Sequence, residues 1–222
     1  MAPKSNAKIL APRIGAIDLE GLEDGDPDSL SAHERIDNER FEDADLSALE
    51  LNGTTFSGCE FLNCAAHATD FRAASFVETR FFRLDAPVLQ APRARFRDVV
   101  IETSRIGSGD LYESRLESVH FVNCKIGYLN LRGAKLADLL FTNCTIDELD
   151  LAGADASRVA FSNSKTRSLM LGRASLNHVD LRGLEFREIA GLDGLRGVTV
   201  SSQQSLELAP VMAAEYGLKI ED

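Results

Sequence analysis

Large apolar residues recur at every fifth position along most of this chain. Stepping by five from Ile36 reaches Phe41, Leu46 and Leu51 and continues without a slip to Phe186. Of these 31 central positions, 26 are Leu, Ile or Phe, and they hold 11 of the 12 Phe residues. The residue two before each central position is also apolar or small almost throughout. The pattern predicts a five-residue repeat with two inward-pointing side chains per unit.

A five-residue period fits neither a helix nor a continuous strand. Five steps of an α-helix rotate a side chain by about 140°, and an odd step moves it to the opposite face of a strand. The chain must therefore turn a corner in each unit. A second period shows how the corners close, because the motifs FLNC, FVNC, FTNC and FSNS begin at Phe61, Phe121, Phe141 and Phe161. Four units per turn account for these multiples of twenty, so we predict a four-sided coil whose side chains stack on those twenty residues away.

The register predicts one elongated domain between two ends that lack it. We expect an N-terminal tail and cap over 1–35, a repeat coil over 36–190 and a C-terminal cap over 191–222. Ser201 and Gln204 have capping-box spacing and Gly217 is a helix stop, which predicts an α-helix over about 202–216. Proline has no N–H for a β-ladder, so some backbone bonding should be lost near Pro87 and Pro92.

Charge and composition narrow the function classes. The formal charge of −11 argues against non-specific binding of nucleic acid. The N-terminus lacks the apolar segment of a signal peptide, and no later run approaches the roughly 18 apolar residues of a membrane span. We therefore expect a cytoplasmic protein without a membrane partner.

Motifs for chemistry are missing from the sequence. It contains no glycine-rich phosphate loop, no nucleophile elbow and no pair of His residues at metal-ligand spacing. Four Cys residues are too few for a disulfide framework, and we interpret Cys64, Cys124 and Cys144 as small buried thiols. The expected protein is not an enzyme and has no catalytic, cofactor-binding or metal-binding residues.

Several units carry a recognisable consensus: ADLSA at 44–48, LNLRG at 129–133, LDLAG at 149–153 and VDLRG at 179–183. On these units the chain resembles the pentapeptide-repeat family. The resemblance implies an all-β solenoid, namely a right-handed quadrilateral parallel β-helix, here with a short C-terminal α-helix.

The C-terminal segment is similar to the ending of the pentapeptide-repeat proteins that protect DNA gyrase from quinolones. The similar positions are Gln203 or Gln204, Leu206 and Leu208, followed by Gly217, Leu218 and Ile220. The resemblance implies a homodimer of two rods joined end to end. Its candidate contacts are Leu206, Leu208, Val211, Met212, Tyr216, Leu218 and Ile220. A helix that only covers the open edge of the last turn is the alternative.

The same resemblance implies a function. It suggests a non-catalytic DNA mimic that binds and modulates DNA gyrase, a type II topoisomerase, and protects it against topoisomerase poisons. One column of outward sites fits this function because it carries four acids, Glu50, Asp70, Asp110 and Asp150. Gln90 and Asn130 complete the column. Basic residues on the next side, at Arg95, Arg115 and Lys135, argue against it. A solvated edge without a partner is the alternative interpretation of this acidic column.

A second function comes from a different class of protein. Apolar residues occupy nominally outward sites that the sequence places along one column: Leu62, Phe82, Val100, Val122 and Leu140. Such an apolar stripe favours a generic protein–protein interaction scaffold with an unknown partner.

Overall fold

The chain folds into a parallel β-solenoid of about nine turns that ends in one α-helix. The computed structural model describes residues 8–219. In the first half the strands are β1 (Glu23–Asp24), β2 (Arg35–Asp37), β3 (Glu39–Glu42), β4 (Thr55–Ser57), β5 (Glu60–Leu62), β6 (Thr69–Asp70), β7 (Ser75–Phe82), β8 (Asp85–Gln90) and β9 (Arg95–Glu102). The following strands are β10 (Arg105–Asp110), β11 (Arg115–Val122), β12 (Lys125–Asn130), β13 (Lys135–Thr142), β14 (Thr145–Asp150), β15 (Asp155–Ser162), β16 (Ser164–Met170), β17 (Ser175–Asp180), β18 (Leu184–Ala190) and β19 (Val198–Thr199). Two 3-10 helices span Pro27–Ser29 and Leu192–Leu195, and the α-helix, α1, spans Ser202–Glu215.

Neighbouring turns pair in parallel at an offset of twenty residues. A twelve-stranded sheet contains the odd-numbered strands together with β2 and β4, and a seven-stranded sheet contains β6 and the later even-numbered strands. Phe121 pairs with Phe141, for example. The offset differs only at the ends, where Glu23 pairs with Glu39 and Val179 pairs with Val198. Strands β1 and β19 therefore lengthen the coil beyond the five-residue register.

The core consists of the predicted central positions. Each of them is buried except Phe186, which lies at the end of the coil and is half-buried. Phenylalanines one turn apart stack face to face, as in Phe121 on Phe141 at 4.9 Å and Phe141 on Phe161 at 5.0 Å between ring centroids. Cys144, one of the predicted buried thiols, donates through Sγ to the backbone oxygen of Phe121 at 3.5 Å. The F-x-N-C motif thus supplies a stacking ring and a small donor at each turn.

Corners form where a residue adopts the left-handed conformation. The corner residue stands two after the central position, and Asn143 (φ 54°) is an example. One of the four corners changes along the rod, because Ala48 and Ala68 are left-handed whereas Val88 and the residues stacked on it are not. A β-branched side chain disfavours positive φ. From β8 onward the chain therefore runs through this corner as one strand of six or seven residues.

The predicted loss of bonding near the prolines is wrong for Pro92. Its carbonyl accepts from the N–H of Ala73 at 2.9 Å, and Arg93 beside it donates to Tyr112 at 2.9 Å. Pro92 stands at a corner position whose N–H lies outside the ladder. Pro87 also lies at a corner, at a position that the parallel register skips in each turn of this sheet.

Both ends of the chain pack on the coil. Ser201 and Gln204 form the predicted capping box of α1, and Gly217 (φ 71°) ends the helix. Gln204 also donates through Nε2 to the carbonyls of Leu181 at 2.7 Å and Leu184 at 2.9 Å, which covers the last turn. In the predicted N-terminal tail, residues 8–22 lie extended along the outside of the coil.

Candidate functional site

The acidic column lies along one side of the coil. Parallel pairing of successive turns stacks, in order, Glu50, Asp70, Gln90, Asp110, Asn130 and Asp150. Neighbouring members are one strand spacing apart, about 4.8 Å. Like charges at this distance repel unless other groups compensate them.

Carboxylates of this column bind their own turns. Oδ1 of Asp70 accepts a hydrogen bond from the N–H of Arg72 at 2.9 Å, and Oδ1 of Asp150 accepts from Ala152 at 2.9 Å. Each bond joins the acid to the N–H two residues later, which is the geometry of an Asx turn. These acids therefore supply acceptors to N–H groups at the corner. At the corresponding place Pro92 has no N–H, and Gln90 replaces the acid.

Arginines compensate much of the column's charge. Nη1 of Arg132 lies 3.1 Å from Oδ2 of Asp150, and Nη2 of Arg72 lies 3.8 Å from Oδ2 of Asp70. Asp150 keeps its outward register but is only 1% exposed. Its carboxylate is covered because Arg132, Tyr128 and the N–H of Ala152 all contact it. Glu50 is the one fully exposed acid of the four.

This side of the rod as a whole is close to neutral. Between residues 49 and 173 its units carry five acids, namely Glu50, Asp70, Asp110, Glu113 and Asp150, and four arginines, namely Arg72, Arg93, Arg132 and Arg173. Nε of Arg93 is 2.9 Å from Oε2 of Glu113. The column is therefore not a row of free negative charges, and its role in binding a partner stays a prediction.

The apolar stripe does not form a single column, contrary to the prediction. Leu62 pairs with Phe82, and Val122 continues that column, whereas Val100 and Leu140 belong to the column two residues earlier. The twenty-residue offset separates them, because 62, 82 and 122 share one position in the turn and 100 and 140 share another. The five side chains instead cross two neighbouring columns of the same side, and each is half-buried.

Ion pairs lie beside this apolar face, beginning in the first turns of the coil. Nε of Arg40 lies 2.9 Å from Oε2 of Glu60, and Arg80 bridges Oε1 of Glu60 at 3.4 Å and Oε2 of Glu102 at 2.9 Å. Arg80 also lies 5.2 Å from the ring centroid of Phe82, a cation–π distance. The charges are thus engaged with one another and leave the neighbouring apolar groups as the partly exposed surface.

His120 lies within the apolar face. Its Nε2 is 2.8 Å from Oγ1 of Thr142. Burial lowers the pKa of His120, against the opposing effect of Glu102. A neutral imidazole is therefore favoured, as a mostly apolar face requires.

The candidate dimer contacts divide into two groups. Leu208 is buried against the coil and is not available to a second rod. The side chains exposed at the same end are Leu206 (70%), Val211, Met212, Tyr216 (80%) and Leu218 (64%). Ile220 lies outside the described residues. One end of the rod therefore presents an apolar surface.

A run of acids on the N-terminal segment was not among the predicted site residues, and it reaches the opposite end of the coil at Glu23, which pairs with Glu39. Its six exposed side chains, here called the acidic cap, are Asp18, Glu20, Glu23, Asp24, Asp26 and Asp28. In the described part of the chain none of them is in an ion pair. Burial and then the charge of Glu23 raise the pKa of Glu39 beside it. The run of acids without a basic residue between 18 and 28 is the sequence signal that could have identified the cap.

The described residues offer little basis for metal binding, thiol chemistry or a membrane-spanning helix. Residues 8–219 contain no group of His, Cys, Asp and Glu side chains able to hold a metal ion. Burial raises the pKa of Cys59 and of Cys64, which disfavours their reactive thiolate forms. No helix within these residues is long and apolar enough to cross a membrane.

The repeat in the middle of the chain matches a known protein family. The family described as "Pentapeptide repeat region" matches residues 94–171. No curated protein matches the chain.

Several solved structures match the chain at low sequence identity. A trypsin-treated variant of QnrB1, described as a plasmid-mediated fluoroquinolone resistance protein, is 19% identical with a TM-score of 0.49, over 86% of this chain and 93% of that one. Full-length QnrB1 is 18% identical with a TM-score of 0.27, over 86% and 94% of the two chains. HetL, a pentapeptide repeat protein involved in heterocyst differentiation regulation in the cyanobacterium Nostoc, is 12% identical with a TM-score of 0.29, over 71% and 85%.

The family match covers the middle of the coil, and the same twenty-residue register continues on both sides of it, from Arg40 paired with Glu60 to Leu169 paired with Ile189. Residues 94–171 of this chain are a pentapeptide repeat region.

Proposed function

We propose that this protein acts in the cytoplasm as a non-catalytic, dimeric DNA mimic that binds DNA gyrase and protects it against topoisomerase poisons. The observation that carries the proposal is the polarity of the rod. One end presents exposed apolar side chains on α1, and the acidic cap, whose six carboxylates form no ion pair within the described residues, leads to the other end. Two rods joined through α1 would form a longer rod with negative charge at both tips.

The acidic cap supports the proposal better than the acidic column does. A protein groove that binds DNA is lined with Lys and Arg, which neutralise phosphates. An occupant of such a groove needs free negative charge, and the column's acids largely bind N–H groups and arginines of their own side. We therefore assign the main contact to the cap and a minor one to Glu50.

Gyrase supercoiling assays test this assignment. Purified protein is titrated into the reaction with and without a fluoroquinolone. Inhibition of supercoiling, or protection from the drug, at micromolar protein is the expected result. The proposal is wrong for gyrase if folded protein has no effect across the range.

Matched variants locate the contact. A cap variant changes all six cap acids to their amides, and a column variant carries Glu50→Gln, Asp70→Asn and Asp110→Asn. The amides keep the acceptor oxygens that the turns use and remove only the charge. We expect the cap variant to lose the effect and the column variant to retain most of it; the reverse result would assign the contact to the column.

The second candidate function is an interaction scaffold, favoured by the apolar face of Phe82, Val100, Val122 and Leu140. These side chains are half-buried, on a face where the charged residues pair with one another. A photo-crosslinking residue at Val122 should capture one partner, and Leu140→Arg should abolish the adduct. The same crosslinker at the exposed corner residue Thr103 is the control; equal capture there would rule the face out.

A further inference from the structure

An extended N-terminal segment occupies one corner of the coil. In this segment, here called the strap (residues 8–22), the N–H of Leu10 donates to Nδ1 of His178 at 3.3 Å. The N–H of Arg13 donates to Oδ1 of Asp138 at 2.9 Å, and that of Gly15 donates to Oγ of Ser118 at 2.9 Å.

The spacing of these contacts shows an extended conformation. The five residue steps from Leu10 to Gly15 pass three turns of the coil, from His178 to Ser118. At about 3.3 Å per residue they reach about 16.5 Å, and three turns at about 4.8 Å measure about 14.4 Å. The strap therefore runs nearly straight along the rod, opposite to the direction in which the coil advances.

Apolar side chains of the strap turn toward the coil. The half-buried residues among 8–22 are Ile9, Pro12, Ile14, Ile17, Leu19 and Leu22, whereas the residues between them are exposed. Such partial burial of several apolar side chains is a favourable contact without a β-ladder.

The strap corner differs from the neighbouring corner. There, Asn143 donates to Asn123 at 3.1 Å, and both side chains are exposed. At the strap corner Ser118 and Asp138 are each only 8% exposed, and they direct their oxygens at main-chain N–H groups. These side chains recognise the backbone of an extended peptide.

The strap is also separable from the coil's own bonding. Among the described residues, main-chain N–H donation to backbone carbonyls begins only at Glu23. The N–H bonds of the strap go to side chains, so its departure breaks no rung of the ladder. Segments with few backbone bonds and partial burial open at low free energy.

We propose that this corner, formed by Asp98, Ser118, Asp138 and His178, is a docking groove for an extended segment of a partner protein. The strap occupies the groove in cis and competes with the partner. A suitable partner segment has apolar residues near alternate positions and a small residue where Gly15 lies, because a Cβ there would be 2.9 Å from Oδ1 of Asp98, whose side chain would have to shift. A tethered competitor acts at an effective concentration of about 1 mM, so a peptide with a Kd of about 10 µM for the open groove binds about 100-fold more weakly to the closed form.

Fluorescence anisotropy with a labelled peptide of residues 8–19 tests the groove in the full-length chain. The variant Ile14→Asp with Gly15→Val opens it, because a charge replaces a half-buried apolar side chain and the valine crowds the carboxylate of Asp98. We expect the peptide to bind this open variant about 100-fold more tightly than the unaltered chain. Equal binding to both proteins, or no binding to a folded open variant, would overturn the proposal.

Two additions make the result specific. Ser118→Ala in the open variant removes one neutral acceptor and should weaken the peptide about 5-fold. Thr103→Ala at an uncovered corner is the matched control and should leave binding unchanged. If the open variant does not fold, hydrogen exchange of the unaltered chain decides. Amides of residues 10–15 should exchange at least 100-fold faster than those of the coil, and equal protection would contradict a detachable strap.

Discussion

At the scale of single residues, the corners of the coil determine which side chains are tolerated. A corner brings the backbone of one turn against that of the next. Some corner positions therefore have room only for glycine, whereas others accept a side chain. Asx-type acids, asparagine ladders and left-handed residues are different ways of satisfying the same tight turn. Polar side chains therefore serve the turn geometry before they can serve a partner.

Gly183 is a residue whose replacement should be costly. A Cβ at this position would lie 1.9 Å from the backbone oxygen of Phe161. We expect Gly183→Ala to destabilise the coil by about 1–3 kcal/mol through this overlap. Thermal unfolding should show a lower Tm, by about 2–4 °C per kcal/mol. Gly172→Ala is the control, since its nearest added contact is 3.9 Å, and equal Tm values would contradict the argument.

Asp138 should make the stability of the coil depend on acid pH. Its carboxylate accepts from Nε and Nη2 of Arg158, both at 2.6 Å, and this pairing lowers the pKa of Asp138. A lowered carboxylate pKa adds stability above the unfolded value, near 3.9, which is lost as pH falls through the lower folded value.

Asp138→Asn should therefore lower the free energy of unfolding at pH 7 by about 1–3 kcal/mol. The difference in Tm from the unaltered chain should begin to shrink below about pH 5. Asp155→Asn, at an exposed residue without an ion pair among the described residues, is the control. A difference that stays constant down to pH 2 would assign the effect to packing and not to charge.

At the scale of elements, α1 has two faces with different tasks. Leu208 and Gln204 hold it on the last turn, and Leu206 and Tyr216 remain exposed. The cap and dimer interpretations of the C-terminal segment are therefore compatible in one helix. The strap is the corresponding element at the start of the chain, and it is bound by side chains and not by a ladder.

Gln204 should control the docking of α1. Replacing it with Ala leaves the carbonyl of Leu184 without this donor, at a cost of about 1–3 kcal/mol, whereas that of Leu181 keeps the N–H of Leu184. Hydrogen exchange of residues 205–214 should become faster in Gln204→Ala. Gln203→Ala is the matched control, because Gln203 is exposed and bonds only Glu207 within the described chain. Unchanged protection in Gln204→Ala would mean that Leu208 alone holds the helix.

At the scale of the whole molecule, the rod is polar along its axis. Apolar groups are exposed at the C-terminal end and carboxylates at the N-terminal end, while the sides in between balance charges of both signs. This arrangement favours assembly through one end and contact with a basic partner through the other.

End-to-end assembly predicts a defined mass in solution. Light scattering should give twice the 24.2 kDa of one chain. Leu206→Ser with Tyr216→Ser should return the mass of a single chain, because both exposed apolar side chains are lost from the proposed contact. Leu10→Ser, at an exposed leucine outside α1, should stay dimeric. A monomeric unaltered chain at 50 µM or more would contradict the dimer.

The amino-acid sequence by itself determined the coil, because each unit repeats the same local instruction. Apolar central positions, small residues two places before them and a twenty-residue period leave one way to bury the core, so the stacking of Phe121 on Phe141 follows from counting. The capping box of α1 is equally local. The position of a residue within the turn also follows from the twenty-residue period. By that period Val100 and Leu140 fall two positions before Leu62, Phe82 and Val122, so the prediction of one apolar column was wrong.

Only the tertiary structure decided which outward side chains are free. Asp150 looks exposed in the repeat pattern, yet Arg132 and Tyr128 cover its carboxylate. The strap has no repeat, and its place depends on side chains between Asp98 and His178, more than eighty residues away in sequence. Burial of a core is dictated by periodicity, whereas the engagement of surface charges depends on neighbours that the fold brings together.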